Sequence, residues 1–100
     1  MSRTSVIRYK TRPEAADENA RLVAVVYAAL AEAKPADLEY ATYRLDDGVT
    51  FVHVAKLPDT TNPLASIPAF AEFQRELTDR CVEQPDPRPA TVVGQYRSAS

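Results

Sequence analysis

One hairpin signal constrains the fold of this chain more than any other feature of its sequence. Asp47 and Gly48 lie between two alternating, β-rich runs that together span residues 38–58. An Asp-Gly pair between two such runs is the strongest short-range indication of a two-residue hairpin turn. We therefore expect two antiparallel strands that turn at Asp47-Gly48.

This turn divides the side chains of the hairpin between two faces, because side chains alternate along a strand. It sets these pairs opposite each other: Tyr40/Ala55, Ala41/Val54, Thr42/His53, Tyr43/Val52 and Arg44/Phe51. One face then carries Ala41, Tyr43, Leu45, Val52 and Val54, and the other carries Tyr40, Thr42, Arg44, Phe51, His53 and Ala55. We expect helices to cover the first, largely aliphatic face. The second face is mixed, and we expect it to meet a ligand or a partner.

Hydrophobic periodicity and prolines predict the other elements. Alternation predicts a strand over residues 5–11, and helical spacing predicts one helix over residues 14–33 and another from Pro68 to beyond Cys81. Residues 59–67 have the composition of a loop. The proline-rich run 84–89 is predicted to end the second helix before a last strand over residues 90–97.

The element order β-α-β-β-α-β predicts a single α+β domain over residues 1–100. A ferredoxin-like antiparallel sheet with both helices on one face is the simplest arrangement that buries both apolar helix stripes. We assign Val6, Phe51, Ala55 and Val93 to the other sheet face. That set is too apolar to face water, so we expect a second copy of the chain or a ligand to cover it.

Composition argues against several classes of partner. A net charge of −2 and a pI of about 5.3 provide no basic surface for nucleic acid or anionic membranes. No apolar run is long enough to span a membrane. The single cysteine cannot form an internal disulfide, which is typical of a cytoplasmic protein.

The chain resembles the antibiotic biosynthesis monooxygenase-like family, within the dimeric α/β-barrel superfamily. The resemblance rests on the element order, on the strand VTFVHVAKL and on the following helix PAFAEFQREL with its paired phenylalanines. It covers residues 6–97 and implies a homodimer whose two sheets pack face to face, with a pocket inside each subunit. Members of this superfamily include cofactor-free oxygenases of polycyclic aromatic compounds, haem-degrading enzymes and isomerases. The catalytic sets of the haem-degrading and best-known quinone-forming members contain tryptophan, and this chain has none.

Two functions are compatible with this resemblance. The first is a cofactor-independent monooxygenase, or a related isomerase, acting on a small aromatic or polyketide-like compound. The second is a non-catalytic dimeric ligand-binding or stress-associated protein. The residues do not decide whether the protein is an enzyme, and we expect no cofactor in either case.

His53 is the first candidate for catalysis, because a histidine on the mixed face could act as a general base. It could equally be a buried histidine that is hydrogen-bonded by Thr42 or by the partner subunit. Arg44 is the second catalytic candidate, since arginine could stabilise an enolate or phenolate. The candidate substrate-binding residues, expected near the same face, are Tyr40, Thr42, Phe51, Arg8 and Gln95.

No metal site is expected, because one histidine and one cysteine offer few transition-metal ligands. Cys81 and His53 are the only thiol and imidazole in the chain. With Cys81 on a helix and His53 on the far sheet face, we expect no Cys-His nucleophile and interpret Cys81 as a small core residue.

Overall fold

A computed structural model describes residues 2–96 and Ser98. The elements are β1 (Ser2–Thr11), a 3₁₀ turn (Pro13–Ala15), α1 (Ala16–Ala33), β2 (Glu39–Arg44), β3 (Thr50–Pro58), a 3₁₀ turn (Pro63–Ser66), α2 (Pro68–Arg75), α3 (Leu77–Arg80) and β4 (Cys81–Ala90). The four strands form one antiparallel sheet in the order β2-β3-β1-β4, and the helices cover one of its faces. This arrangement confirms the predicted ferredoxin-like α+β fold. Within the described residues, no helix has both the length and the apolar character needed to cross a membrane.

The boundaries of α1 follow from the prolines on either side of it. Pro13 begins the preceding 3₁₀ turn, where its missing N–H costs nothing. At the other end Lys34 adopts a left-handed conformation, with φ of 48°, and its N–H donates to the Leu30 carbonyl. Pro35 follows at once and prevents the helix from continuing, as predicted.

The hairpin has the predicted register but a different turn. The strands pair Thr42 with His53, and every neighbouring pair agrees with the prediction. The turn, however, contains four residues rather than two, because the Leu45 N–H donates to the Thr50 carbonyl and the Gly48 N–H to the Leu45 carbonyl. The Asp47 carboxylate accepts hydrogen bonds from the N–H groups at positions 49 and 50. The predicted two-residue loop and the observed four-residue loop are both centred between Asp47 and Gly48, so they give the same strand register.

The prediction of which sheet face the helices cover was wrong. Phe51, His53 and Ala55 lie under the helices and are 2–3% exposed. The opposite face, called the open face below, is formed by Val6, Ala41, Tyr43, Val52 and Val54. Val6 therefore lies opposite Val54 on the open face and does not share a face with Phe51. The mixed face can be buried because its polar groups bond to one another, as described below.

The predicted last strand was also wrong. β4 is formed by the proline-rich run Cys81–Ala90, whereas residues 91–96 form no strand and Arg97 lies outside the described residues. Pro85, Pro87 and Pro89 alternate, so their missing N–H groups all fall on one side of the strand. β4 is an edge strand, and the residues between the prolines can still pair with β1.

The predicted second helix is shorter than its apolar spacing suggested. α2 ends at Arg75, and Glu76 leaves the helical region before the single turn of α3. Phe73 and Leu77 are still buried against the sheet, as their spacing indicated. Cys81 is the first residue of β4 and not part of a helix, although it packs beside the core as predicted.

A glycine pair tests the turn. Gly48 has a φ of 79°, whereas the φ of Gly94 is not in the left-handed region and a Cβ at either position would meet nothing within 4 Å. Gly48→Ala should therefore lower the free energy of unfolding by about 1 kcal/mol through backbone strain alone. Gly94→Ala is the matched control and should leave it unchanged in urea unfolding. Equal effects of the two substitutions would contradict the turn described above.

Candidate functional site

A cavity of about 280 Å³ lies between the sheet and α2, with α3 and β4 at its rim. Its walls are mainly aromatic and aliphatic, and its polar groups belong to Tyr9, Tyr40 and His53 on the sheet and to Gln74 and Thr78 at the exposed rim. The other lining residues are Ile7, Phe70, Phe73, Leu77, Pro85 and Pro87. An apolar cavity with a few convergent polar groups is the usual form of a small-molecule site.

His53 lies at the inner end of this cavity, in the middle of β3, and is 3% exposed. Tyr9 from β1 places its hydroxyl 2.8 Å from the imidazole Nε2. On the other side, the hydroxyl of Tyr40 lies 2.6 Å from Nδ1 and that of Thr42 lies 3.1 Å from Nδ1. Both ring nitrogens are therefore engaged by hydroxyl groups of the neighbouring strands.

The hydrogen bonds continue from Tyr9 into the helices. Asn19 of α1, which is fully buried, donates from Nδ2 to the Tyr9 hydroxyl at 2.8 Å. Arg80 at the end of α3 donates from Nε to Asn19 Oδ1 at 3.0 Å, and its terminal nitrogen donates to the Phe73 carbonyl at 2.8 Å. The guanidinium also lies 5.4 Å from the centroid of the Phe73 ring. One continuous network thus links α3, α1 and β1 to His53.

At its other end the network reaches the surface of α1. The Thr42 hydroxyl lies 2.9 Å from that of Tyr27, and the Tyr27 ring stacks on that of Tyr40 at 5.4 Å. Among the described residues, no buried side-chain nitrogen or oxygen lacks a hydrogen-bond partner. The polar groups under the helices are therefore satisfied by the protein itself, which fixes their positions.

Burial determines the charge of these groups. Desolvation lowers the pKa of His53 to about 4, so the imidazole is neutral at pH 7. Desolvation also raises the pKa of Tyr9 and of Tyr40 well above the usual value, and both phenols remain protonated. The sheet side of the cavity is therefore lined by neutral hydrogen-bonding groups.

Three of the predicted substrate-binding residues belong to this region. Tyr40 lines the cavity, and Thr42 contacts His53 from the strand beside it. Phe51 is on the same sheet face but not in the cavity wall, and its ring stacks on that of Tyr9 at 5.6 Å. Phe51 thus supports Tyr9 from behind, and the hydrogen bond between Thr42 and His53 is the one predicted for a structural histidine.

Arg44 shares the sheet face of His53 but does not line the cavity. Its Nε donates to the Gly48 carbonyl at 2.8 Å, and its terminal nitrogen lies 3.1 Å from the Asp17 carboxylate. The guanidinium lies 5.6 Å from the centroid of the Phe51 ring. Arg44 therefore connects the hairpin turn to α1, at the far side of Phe51 from His53.

Arg8 and Gln95 are not near His53, contrary to the prediction. Arg8 pairs with Val52 across the sheet, so it belongs to the open face, where it lies 3.9 Å from the Glu83 carboxylate. Gln95 follows β4 in an exposed segment that lines a groove on the open face, together with Ala41, Tyr43 and Val54. The single-residue alternation of β1 separates Arg8 from Tyr9, and it is Tyr9 that contacts His53.

Tyr9, Asn19 and Arg80 were not among the site residues predicted from the sequence. Tyr9 could have been found, because it shares a strand face with Ile7 and that face is the less charged one in β1. Asn19 and Arg80 carry a weaker signal: each is a polar residue in an otherwise apolar helix stripe. Their pairing joins positions 61 residues apart, and no local pattern predicts it.

Cys81 lies at the start of β4 and outside the cavity lining. Cys81 lies opposite Thr11 at the end of β1, whereas His53 lies opposite Ile7, four residues along the same strand. Burial raises the pKa of the Cys81 thiol, which favours its neutral form. Among residues 2–96 and 98, no three histidine, cysteine, aspartate or glutamate side chains are grouped so that they could hold a metal ion.

Solved structures with the same fold include several oxygenases. A proposed antibiotic biosynthesis monooxygenase from Bacteriodes thetaiotaomicron has a TM-score of 0.81 at 12% identity, covering 99% of this chain and 96% of that one. SnoaB, a cofactor-independent oxygenase from Streptomyces nogalater, has a TM-score of 0.70 at 17% identity, covering 97% and 98%. A proposed antibiotic biosynthesis monooxygenase from Nitrosomonas europaea has a TM-score of 0.71 at 8% identity, covering 92% and 90%.

No family model matches the sequence, and no curated protein matches it. At identities this low, the structural likeness establishes a shared fold and not a shared reaction. The fold that the resemblance implied is confirmed, and it is the fold of antibiotic biosynthesis monooxygenases.

The burial of His53 predicts a pH dependence of stability. Its pKa falls from 6.5 to about 4 on folding, so between these values the unfolded chain binds more protons than the folded protein. Stability should therefore decrease as the pH falls, by about 2 kcal/mol between pH 7 and pH 5. Urea unfolding at several pH values measures it.

His53→Gln is the control for this prediction, because glutamine can donate and accept hydrogen bonds but does not titrate. Its stability should be nearly flat over the same range. The exposed Glu14 and Glu18 have lowered pKa values from their bonds to Arg12 and Arg21, and they titrate at lower pH. An equal loss in both proteins would show that another group is responsible.

Proposed function

We propose that the cavity under α2 binds a small aromatic compound and that the protein is a cofactor-independent monooxygenase acting on it. The observation that carries this proposal is an apolar cavity that ends in a neutral cluster of tyrosines and histidine. An apolar wall favours an aromatic ring, and the hydroxyl groups at its end would orient a polar substituent.

The volume limits the size of the ligand. Pockets for drug-sized ligands occupy about 300–1,000 Å³, and this cavity of about 280 Å³ lies just below that range. A compact compound of two or three fused rings is therefore the expected ligand class. The exposed rim at Gln74 and Thr78 provides the entrance through which it would arrive.

An oxygenase without a cofactor must use the reactivity of its substrate. A CH₂ group flanked by aromatic rings can lose a proton to give a resonance-stabilised anion that reacts with O₂. The overall change converts CH₂ and O₂ to a carbonyl group and one molecule of water. The protein would contribute by binding the ring system away from water and by donating hydrogen bonds to the oxygen on which negative charge develops. The fold shared with SnoaB, a cofactor-independent oxygenase, supports this chemistry.

The geometry favours a positioning role for His53 over that of a general base. A base is most effective when its pKa is near the working pH, and the pKa of His53 is about 4. Both of its nitrogens already bond to hydroxyl groups. In this proposal His53 therefore holds Tyr9 and Tyr40 in place, and the phenols contact the substrate.

Anthrone is a suitable first probe, because its oxidation by O₂ to anthraquinone and water is this reaction. The protein should increase O₂ consumption and anthraquinone formation above the spontaneous rate. Tyr40→Phe should reduce the enzymatic rate about tenfold or more, since it removes the hydroxyl bonded to His53 Nδ1 and so loosens the hydrogen bonding that positions Tyr9 in the cavity. Tyr43→Phe is the matched control: Tyr43 lies on the same strand but on the open face, and its substitution should leave the rate unchanged.

Binding measured in parallel separates the two functions. If anthrone or a smaller ring compound binds in the cavity without O₂ consumption, the protein is a non-catalytic ligand-binding or stress-associated protein. If no ring compound binds, the small-molecule site itself is contradicted.

We further propose that the protein is a homodimer in which the open faces of two copies pack together. Val6, Val52 and Val54 form an aliphatic strip on that face, and Tyr43 beside them is 56% exposed. An apolar strip on a sheet face is normally covered, and a second copy of the same face would bury it symmetrically. The surface we assign to the dimer is thus the opposite face from the one first expected.

A charged substitution on the open face tests whether this face forms the dimer interface. The wild-type protein should sediment as a dimer at micromolar concentration, and Val54→Asp should sediment as a monomer, because each copy would bury an unpaired carboxylate in the interface. Val25→Asp is the control, since Val25 is 45% exposed on α1, on the other side of the sheet. A monomeric wild-type protein would contradict the proposal.

A cytoplasmic location is also our proposal, and it is supported by the single cysteine. Fractionation of cells that produce the protein tests it directly.

A further inference from the structure

We propose that Tyr9 donates its hydroxyl proton to the ligand, so that the cavity selects compounds with a hydrogen-bond-accepting oxygen, such as a ketone or quinone carbonyl. This inference rests on the proposed function of the cavity as a ligand site, and it names the group that the ligand must carry. It follows from the way protons are distributed around His53.

The distances around His53 indicate which nitrogen carries its proton. A neutral imidazole has one N–H and one acceptor nitrogen. Hydrogen bonds from N–H groups to oxygen are about 2.7–3.2 Å long, and a shorter contact is more typical of a hydroxyl donor. We therefore assign the phenol as the donor in the 2.6 Å contact between Tyr40 and Nδ1. With this assignment Nδ1 is the acceptor, and Nε2 carries the proton and donates it to the Tyr9 oxygen at 2.8 Å.

Asn19 supplies a second hydrogen bond to the same oxygen. Arg80 has no acceptor group, so its bond to Asn19 fixes the amide with Oδ1 towards Arg80 and Nδ2 towards Tyr9. Asn19 therefore donates to Tyr9 and cannot accept from it. The Tyr9 oxygen receives two hydrogen bonds, and its own proton is not used by either neighbour.

The unused proton lies at the wall of the cavity. Tyr9 lines the cavity, and its hydroxyl has no third hydrogen-bond partner among the described side chains and backbone. Two accepted hydrogen bonds polarise the phenol and make it a better donor. A ligand with a carbonyl oxygen beside Tyr9 would accept this bond, whereas a hydrocarbon of the same shape would leave the proton unpaired.

A matched pair of ligands tests the inference by calorimetry. 1-Tetralone and tetralin have the same ring skeleton and differ in one carbonyl. The wild-type protein should bind 1-tetralone about tenfold more tightly, and Tyr9→Phe should remove this preference. Tyr27→Phe is the control and should retain it, because Tyr27 belongs to the network but does not line the cavity.

The outcomes separate this inference from the proposed function. Equal binding of the two compounds by the wild-type protein, or a preference that persists in Tyr9→Phe, would overturn the role of Tyr9 and leave the cavity as a ligand site. Failure of both compounds to bind the wild-type protein would overturn the proposed site and this inference with it.

A second measurement does not depend on the Tyr9 variant folding. The infrared carbonyl band of bound, ¹³C-labelled 1-tetralone should lie at lower wavenumber than in hexane, because a donated hydrogen bond weakens the C=O bond. The measurement is repeated with Gln74→Leu and Thr78→Val, which remove the donors at the rim. An unshifted band in the wild-type protein, or a shift that disappears in these rim variants, would overturn the inference.

Discussion

The burial of His53 is the constraint on which the rest of this structure depends. An imidazole under two helices is favourable only if both nitrogens have partners, since an unpaired buried polar group costs about 1–3 kcal/mol. Tyr9 and Tyr40 provide those partners from the strands on either side of β3. Their hydroxyls in turn need the exact placement of β1 and β2 that the sheet register gives. The same bonds that allow the core to close therefore also create the polar end of the cavity.

The strand register was predicted correctly from the sequence, whereas the sheet face that the helices cover was not, and the difference has one physical reason. Register depends on alternation and on the centre of the turn, and both are local properties of residues 38–58. The choice of face depends on whether polar groups can satisfy one another after folding. Counting apolar side chains favoured Val52 and Val54 for the core, but the aromatic face buries larger rings, and His53 brings no unpaired group with it. The last strand was misplaced for a similar reason. Prolines disfavour a strand unless it lies at a sheet edge, and the edge position of β4 is not a local property of the sequence.

Half of the residues of the candidate site could be predicted from the hairpin sequence alone. His53, Tyr40 and Thr42 are close in sequence, and pairing them across the turn places their side chains together. Tyr9, Asn19 and Arg80 come from three other elements; the pairing of β1 with β3 places Tyr9, and the packing of the helices on the sheet places Asn19 and Arg80. Arginine residues were expected in the site for their charge. The arginine that the fold brings there is Arg80, which is buried and acts through Asn19, rather than Arg8 or Arg44.

Arg80 sets the donor-to-acceptor order of the hydrogen bonds that lead to Tyr9. Its guanidinium donates to two neutral oxygens, Asn19 Oδ1 and the Phe73 carbonyl, and accepts nothing. Arg80 donates to Asn19, and Asn19 donates to the Tyr9 hydroxyl. The guanidinium therefore polarises the Tyr9 hydroxyl as a hydrogen-bond donor without placing a charge in the cavity. A carboxylate beside Arg80 would have formed an ion pair and weakened this polarity, whereas a neutral amide transmits it. The cavity thus remains neutral and apolar enough for an aromatic ring while it still favours an oxygen that accepts a proton or gains negative charge.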